Sequence, residues 1–494
     1  MLTRAVALRA SGIFVFSILS FITSGRNQRL WDDEKLLGSR LAPQSATSVV
    51  DLWREPYWLD GPRDVFRPLG LTVLLIERRA FGDSMAGFHA TSLVLHGLTS
   101  IALFLFLRRI SPEPVAWLAA LAFGVHPAHA EAVAMAYGQL EILAALFAFL
   151  AMDRYLVAIR DGGVPLMALG LAFLAACSKE SGLMLPAFVI LLRGVYLKPE
   201  DRWTTRWFTW REALFLAPAM AYLALRRGAL GALLAPAEST ITYGYSAALR
   251  VKAVIISLGN AIRLSIFPTG QTLYYGHLRD HLLNRPWPEM LWIGAGAVLC
   301  VALAKETGHR TALFAAAWFL AGLLPVLNIV PSGVLVAERN LYLPIAAVAF
   351  LAANLVWRLK WNRAVWVACA AAIAMCVVKG NVVARQWRDN ETLWRTTVAS
   401  YPTSPLAHAA LGEELLKQPG REQEAEQQFE RALQLNPGVS GGHRGMAVLL
   451  MRRGDYGGAL EWLEREQKIG DSEQPRAEIN NCRLRMNGAG VSAR

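Results

Sequence analysis

The chain has 494 residues, of which 54% are hydrophobic and only 18% charged. With its 39 glycines the apolar share reaches roughly 62%, against ~45–50% for soluble chains on the same count, which excludes a soluble fold. The net charge of +12 reads as a cytoplasmic lysine and arginine bias, so no nucleic-acid partner is expected, and the 16 tryptophans suit membrane–water interfaces.

In chain order, apolar runs predict eleven membrane spans, near 5–23, 85–107, 114–130, 138–158, 163–178, 182–197, 211–226, 289–304, 311–328, 341–357 and 364–379. The first run has Arg4 and Arg9 ahead of it but lacks a small-x-small cleavage site at Phe21–Gly25, so it reads as a span and not a leader. Every second loop is basic: Arg108 and Arg109, Arg154 and Arg160, Lys198 to Arg211, Lys305 and Arg310, Arg358 to Arg363. These loops are expected in the cytoplasm, which puts the C-terminal segment outside, in a periplasm or an ER lumen. Residues 248–268 are apolar enough to cross, but a twelfth span would reverse every later basic loop. They are expected to lie at the interface or re-enter, with Arg250, Lys252 and Arg263 near headgroups.

The predicted fold class is therefore all-α, a polytopic helical bundle over 1–379 with long outer loops at 24–84 and 227–288. Residues 380–484 change to a soluble helical composition. Ala425 and Ala459 stand 34 residues apart, and Leu411-Gly412, Phe429, Ala432 and Pro437 in one unit, with Ala447 and Leu463 in the next, follow the tetratricopeptide pattern. Residues 485–494 read as a flexible tail. The five cysteines are scattered, with no CxxC, and suggest neither disulfides nor a zinc cluster.

Charged groups near membrane depth are functional candidates. Asp32 and Asp33 are adjacent carboxylates whose repulsion favours one as a base; the plainer alternative is a solvated cap. Arg67 in Phe-Arg-Pro-Leu suits a phosphate, a carboxylate or a headgroup. His89 and His96 share one helix face. His126, His129 and Glu131 hydrogen-bond a sugar or phosphate, or bind a divalent metal; no other cofactor is expected. Glu141 follows at the start of the fourth span. Lys179 suits phosphate, against the alternative of a Lys179–Glu180 turn pair. Glu338, Arg339 and Tyr342 enter the tenth span from outside. Arg226 and Arg227 break the positive-inside pattern and need an anionic partner, from a ligand phosphate, a lipid headgroup or an acidic loop. All these groups fall on one outer face, as expected of a single site for a lipid-borne anion.

In this order the motifs Trp-Asp-Asp (31–33), Phe-Arg-Pro-Leu (66–69), His-Pro-x-His-x-Glu (126–131), Ser-Lys-Glu-x-Gly (178–182) and Ala-Glu-Arg-x-Leu-Tyr-Leu-Pro (337–344) resemble the transmembrane-and-tetratricopeptide O-mannosyltransferases, over roughly residues 25–465. The architecture is similar to glycosyltransferases of the C superfamily. The resemblance implies an inverting transfer of mannose or another hexose from a polyprenyl-phosphate carrier to a serine or threonine hydroxyl of a protein, held through the tetratricopeptide-like domain. It implies Asp32 as base with Asp33 as second acid. Arg67, Lys179, Arg226 and Arg339 would hold the donor phosphate. His89, His126, His129, Glu131, Glu141, Glu338 and Tyr342 would line the pocket. Gly138-Gln139-Leu140-Glu141 departs from the family's Gly-Arg-x-acid, which removes one phosphate contact. A lipid or glycan acceptor, and a non-catalytic membrane scaffold, are the alternatives.

Overall fold

The computed structural model describes residues 4–42, 47–58, 64–197, 208–233, 245–275, 286–329, 334–359, 362–439, 441–469 and 478–485. Among them the secondary structure is helical and no strand occurs. The flexible tail expected at 485–494 lies, after its first residue, outside the described residues, as does Tyr243 of the second outer loop.

Each of the eleven apolar runs carries a helix, but they differ in length. Among the described residues seven helices are long and apolar enough to cross a membrane: Met85–Leu107, Gln139–Arg160, Trp210–Leu230, Trp287–Thr307, His309–Val326, Glu338–Arg358 and Arg363–Gln386. The chain is thus a multi-pass membrane protein, with fewer crossing-length helices than runs. The third run is shortened because Pro127 cannot continue the hydrogen-bond ladder, so the helix Glu113–Gly124 ends before it and a 3-10 turn follows. The fifth starts after Pro165 and stops at Ser178, where Lys179 is extended. The interfacial candidate is a helix, Ala247–Ile266, whose three cations keep it out of the crossing class.

The chain divides into two compact units, residues 1–271 with 282–388, and residues 272–281 with 389–494. The division falls at Arg388 rather than near 379, because the helix Arg363–Gln386 runs on past the apolar segment.

In the first unit small residues let helices approach. A Cβ on Gly124 would meet Ser17 Oγ at 2.1 Å, and Ser17 Oγ donates to Ser100 Oγ at 3.1 Å, so three helices close around serines. Trp318 fills the centre, with Phe106, Phe149, Phe188 and Phe314 around it. Trp287–Thr307 and Arg363–Gln386 instead expose apolar side chains such as Leu291, Val298, Met375 and Val378, as lipid-facing helices do.

The second unit stacks Asn390–Ser400, Pro405–Leu416, Glu422–Leu435, Gly442–Arg452 and Tyr456–Ile469. Asp389 and Ser404 cap the first two through the N–H groups of Thr392 and Ala407. Gly412 and Gly445 both lie against the Phe429 ring, where no larger side chain fits. Ala425 and Ala459 occupy equivalent buried positions in successive hairpins. Leu273 and Tyr274, from the second outer loop, pack on the core formed by Trp394, Leu411, Leu415 and Phe429.

Candidate functional site

Six short segments of the first unit, at 31–35, 67, 131–141, 179–180, 226 and 339–340, bring the charged motifs together. The helix Trp31–Lys35 presents the two aspartates. Asp33 is fully buried, and its carboxylate accepts the N–H groups of Ala136 (3.1 Å) and Tyr137 (2.8 Å). It pins the break between the helices Ala130–Ala134 and Gln139–Arg160. Asp32 is half-buried, and among the described residues its carboxylate takes no hydrogen bond and no ion pair. Burial raises its carboxyl above the ordinary value; Arg339 opposes this, Glu131 adds to it, and Lys35 and Arg67 oppose it. Burial pushes Asp33 further, to about 7, against the pull of its two N–H donors.

The four cations Arg67, Lys179, Arg226 and Arg339 all meet carboxylates. Arg67, before the helix Pro68–Phe81, donates through Nε (3.0 Å) and Nη2 (2.8 Å) to Glu180. Arg226 donates to the carbonyls of Leu233 (2.9 Å) and Asp64 (2.6 Å), and its Nη1 lies 3.9 Å from Glu180. Lys179 pairs with Glu141 and donates to Asn340 Oδ1 at 3.3 Å. Arg339 pairs with Glu131, which also accepts the Arg339 N–H at 2.9 Å. The acidic partner that the arginines need is therefore the protein's own. The Lys179–Glu180 turn pair does not form, because extended backbone at Lys179 separates the two side chains. Burial, with Arg67 and Arg339 nearby, pulls the Lys179 ammonium well below its ordinary value. Burial raises Glu180, but Arg67 more than reverses it and the carboxyl ends low.

Two aromatic rings underlie the arginines. The Arg339 guanidinium lies 5.2 Å from the Tyr137 ring centre and that of Arg67 lies 5.8 Å from Tyr57. Sequence reasoning picked out neither Tyr137 nor Tyr57 as a site residue. The one signal for Tyr137 was its place in the interruption between two apolar runs.

The remaining candidates sit apart from the charge cluster. His89 Nε2 donates to Asn27 O at 3.1 Å. His96 donates through Nε2 to Gly124 O (2.8 Å) and accepts the Tyr342 hydroxyl at Nδ1 (2.6 Å). Tyr342 and His129 are packed on each other and on Phe123 in the core, ring centres 4.4 to 5.3 Å apart. Glu338 accepts Gln271 Nε2 at 2.6 Å, and the same amide donates to Pro127 O at 3.1 Å. Gln139, in place of an arginine, donates to buried Glu77 (3.2 Å) and to Phe88 O (3.0 Å).

The metal reading of His126, His129 and Glu131 does not fit. His126 Nδ1 accepts the Ala128 N–H and its Nε2 donates to Ser265 O (3.1 Å); His129 lies in the aromatic core; Glu131 is taken by Arg339. Among the described residues no three His, Cys, Asp or Glu side chains gather as a ligand set.

No protein-family model matches the chain. It is similar to the human protein O-mannosyl-transferase TMTC4, 23% identical over 474 residues, covering 81% of this chain and 62% of the relative. It is similar to Drosophila melanogaster protein O-mannosyl-transferase Tmtc1, 24% identical over 492 residues, covering 80% and 57%. The chain thus spans about three-fifths of the length of the curated relatives it matches. Among solved structures, that of ArnT from Cupriavidus metallidurans bound to undecaprenyl phosphate covers 94% of this chain and 80% of its own, with a TM-score of 0.44 and 14% identity.

Proposed function

We propose that the protein is an integral-membrane glycosyltransferase of the C-superfamily kind, which moves a hexose, mannose in the first instance, from a polyprenyl-phosphate carrier to a protein hydroxyl. The single observation that carries this reading is the Asp32 carboxylate, left without a partner beside a cluster of buried cations. A carboxylate raised by burial is a better base than one in water. The acceptor oxygen attacks the anomeric carbon, its proton passes to Asp32, and the bond from carbon to phosphate oxygen breaks. The departing phosphate keeps the electron pair and stays on its carrier. Guanidinium groups held in place by Glu131 and Glu180 are pre-aligned for the charge that develops there. Asp33 has a positioning part: it holds the break at Ala136 and Tyr137 that sets Arg339's aromatic floor. No step in this scheme passes through a metal.

The site faces the periplasm or the ER lumen in this reading, as does the helical second unit, which binds the protein acceptor. The similarity to relatives named protein O-mannosyl-transferases supports a protein acceptor and mannose.

The test is reconstitution in liposomes with polyprenyl-phosphate mannose and other polyprenyl-phosphate hexoses, reading released polyprenyl phosphate and product mass. Asp32→Asn is expected to lower transfer at least ~100-fold at unchanged expression, the range for loss of a general base. Transfer at the wild-type rate in Asp32→Asn sinks the catalytic assignment, and the same result in Asp33→Asn as well leaves a membrane scaffold. Turnover with a lipid or glycan acceptor alone changes the acceptor and leaves the chemistry.

A further inference from the structure

Among the described residues, two phenols in the charge cluster have no hydrogen-bond partner. The Tyr57 hydroxyl is sealed from solvent with no acceptor in reach. The Tyr137 hydroxyl forms no hydrogen bond with any described residue, and the side chain is 94% enclosed, with 6% of its surface open. Buried donors are almost always satisfied, so an orphaned pair in one place calls for an acceptor that the described residues do not supply. Their setting says what that acceptor is. Each ring floors a guanidinium, Tyr57 that of Arg67 and Tyr137 that of Arg339. Both phenols are within electrostatic reach of each other, of Arg67 and of the partnerless Asp32. Two neutral O–H donors beside two guanidiniums form a donor-rich wall suited to an oxygen-rich anion.

We propose that the hydroxyls of Tyr57 and Tyr137 are donors to the phosphate oxygens of the polyprenyl-phosphate donor, and so are direct substrate contacts. This rests on the reading of the cluster as a glycosyl-transfer site. It extends it by assigning two uncharged contacts in addition to the cations. Tyr222 gives the contrast: its hydroxyl already donates to Phe66 O at 2.9 Å and is structural.

Thermal unfolding of the full-length protein in detergent, with and without undecaprenyl phosphate, separates the two roles. Without ligand, Tyr57→Phe and Tyr137→Phe should keep or raise the wild-type midpoint, since neither removes an internal hydrogen bond; Tyr222→Phe should lower it. With undecaprenyl phosphate, each of the first two should bind ~10-fold more weakly, as loss of one hydrogen bond to a charged group predicts. An inorganic phosphate arm tells headgroup from carrier: a matching loss there places the contact on phosphate itself, and a loss confined to the lipid arm places it on the bound carrier. Wild-type affinity for undecaprenyl phosphate in both phenylalanine variants overturns the proposal. Normal transfer by Asp32→Asn, with affinity still lost in the phenylalanine variants, overturns the catalytic reading and spares the contact. Absence of carrier binding by the wild-type protein overturns both.

Discussion

The Asp33 carboxylate accepts two backbone N–H groups while that of its neighbour Asp32 accepts none, so two adjacent acids differ in what each can do. The sequence places both at the outer end of the first span, but nothing in their order separates them. The difference comes from residues more than a hundred positions away. A pH effect follows. Asp33 in the folded protein holds its proton up to about 7, above the ordinary 3.8 of the unfolded chain. Its contribution to stability is therefore full below about pH 4 and is lost as pH rises through 7. Thermal midpoints in detergent from pH 4.5 to 8 should fall over that range, and Asp33→Asn should flatten the curve. An unchanged slope in the variant would remove Asp33 as the cause.

At the scale of elements, long apolar runs made the helices legible, since lipid-facing and core-facing residues are both apolar over crossing lengths. The run near 163–178 became the helix Leu166–Ser178, and residues 248–268 became Ala247–Ile266. What stayed hidden was the pairing of charges. Lys179 beside Glu180 looks like a local pair, yet Lys179 reaches Glu141 and Glu180 reaches Arg67. Such choices are set by how helices pack, which no local pattern records. The helix Pro68–Phe81, inside a stretch that reads as an outer loop, was missed as well. Two glycines on successive elements, Gly170 in Leu166–Ser178 and Gly182 in Glu180–Met184, give a paired test. A Cβ on Gly182 would lie 2.3 Å from the Ala175 backbone carbon, so Gly182→Ala must displace the turn carrying Lys179 and Glu180. It is expected to cost about 1–3 kcal/mol by overpacking and to lower transfer. Gly170, within Leu166–Ser178, has open space around it, and Gly170→Ala should stabilise by about 0.5–1 kcal/mol through helix propensity. Equal midpoints for the two variants would contradict the packing described.

For the whole molecule, composition separated an apolar bundle from a soluble helical tail, and the repeat spacing located Ala425 and Ala459 in their hairpins. It could not show that Leu273 and Tyr274 belong with the tail, because membership by contact leaves no trace in composition. The self-matched charges have one further consequence. A cluster in which Arg67, Lys179, Arg226 and Arg339 already face carboxylates behaves as an ion exchanger, not as an open positive patch. A phosphate entering it adds negative charge with no counter-ion waiting, and the nearest remedy is a proton from solvent. Asp33, whose carboxyl burial pushes up to about 7, would take that proton once an anion sits nearby. Calorimetry of undecaprenyl phosphate binding in buffers of different ionisation heat should then show net proton uptake near neutral pH. An apparent enthalpy independent of buffer would mean that a carboxylate swings out of the pocket instead.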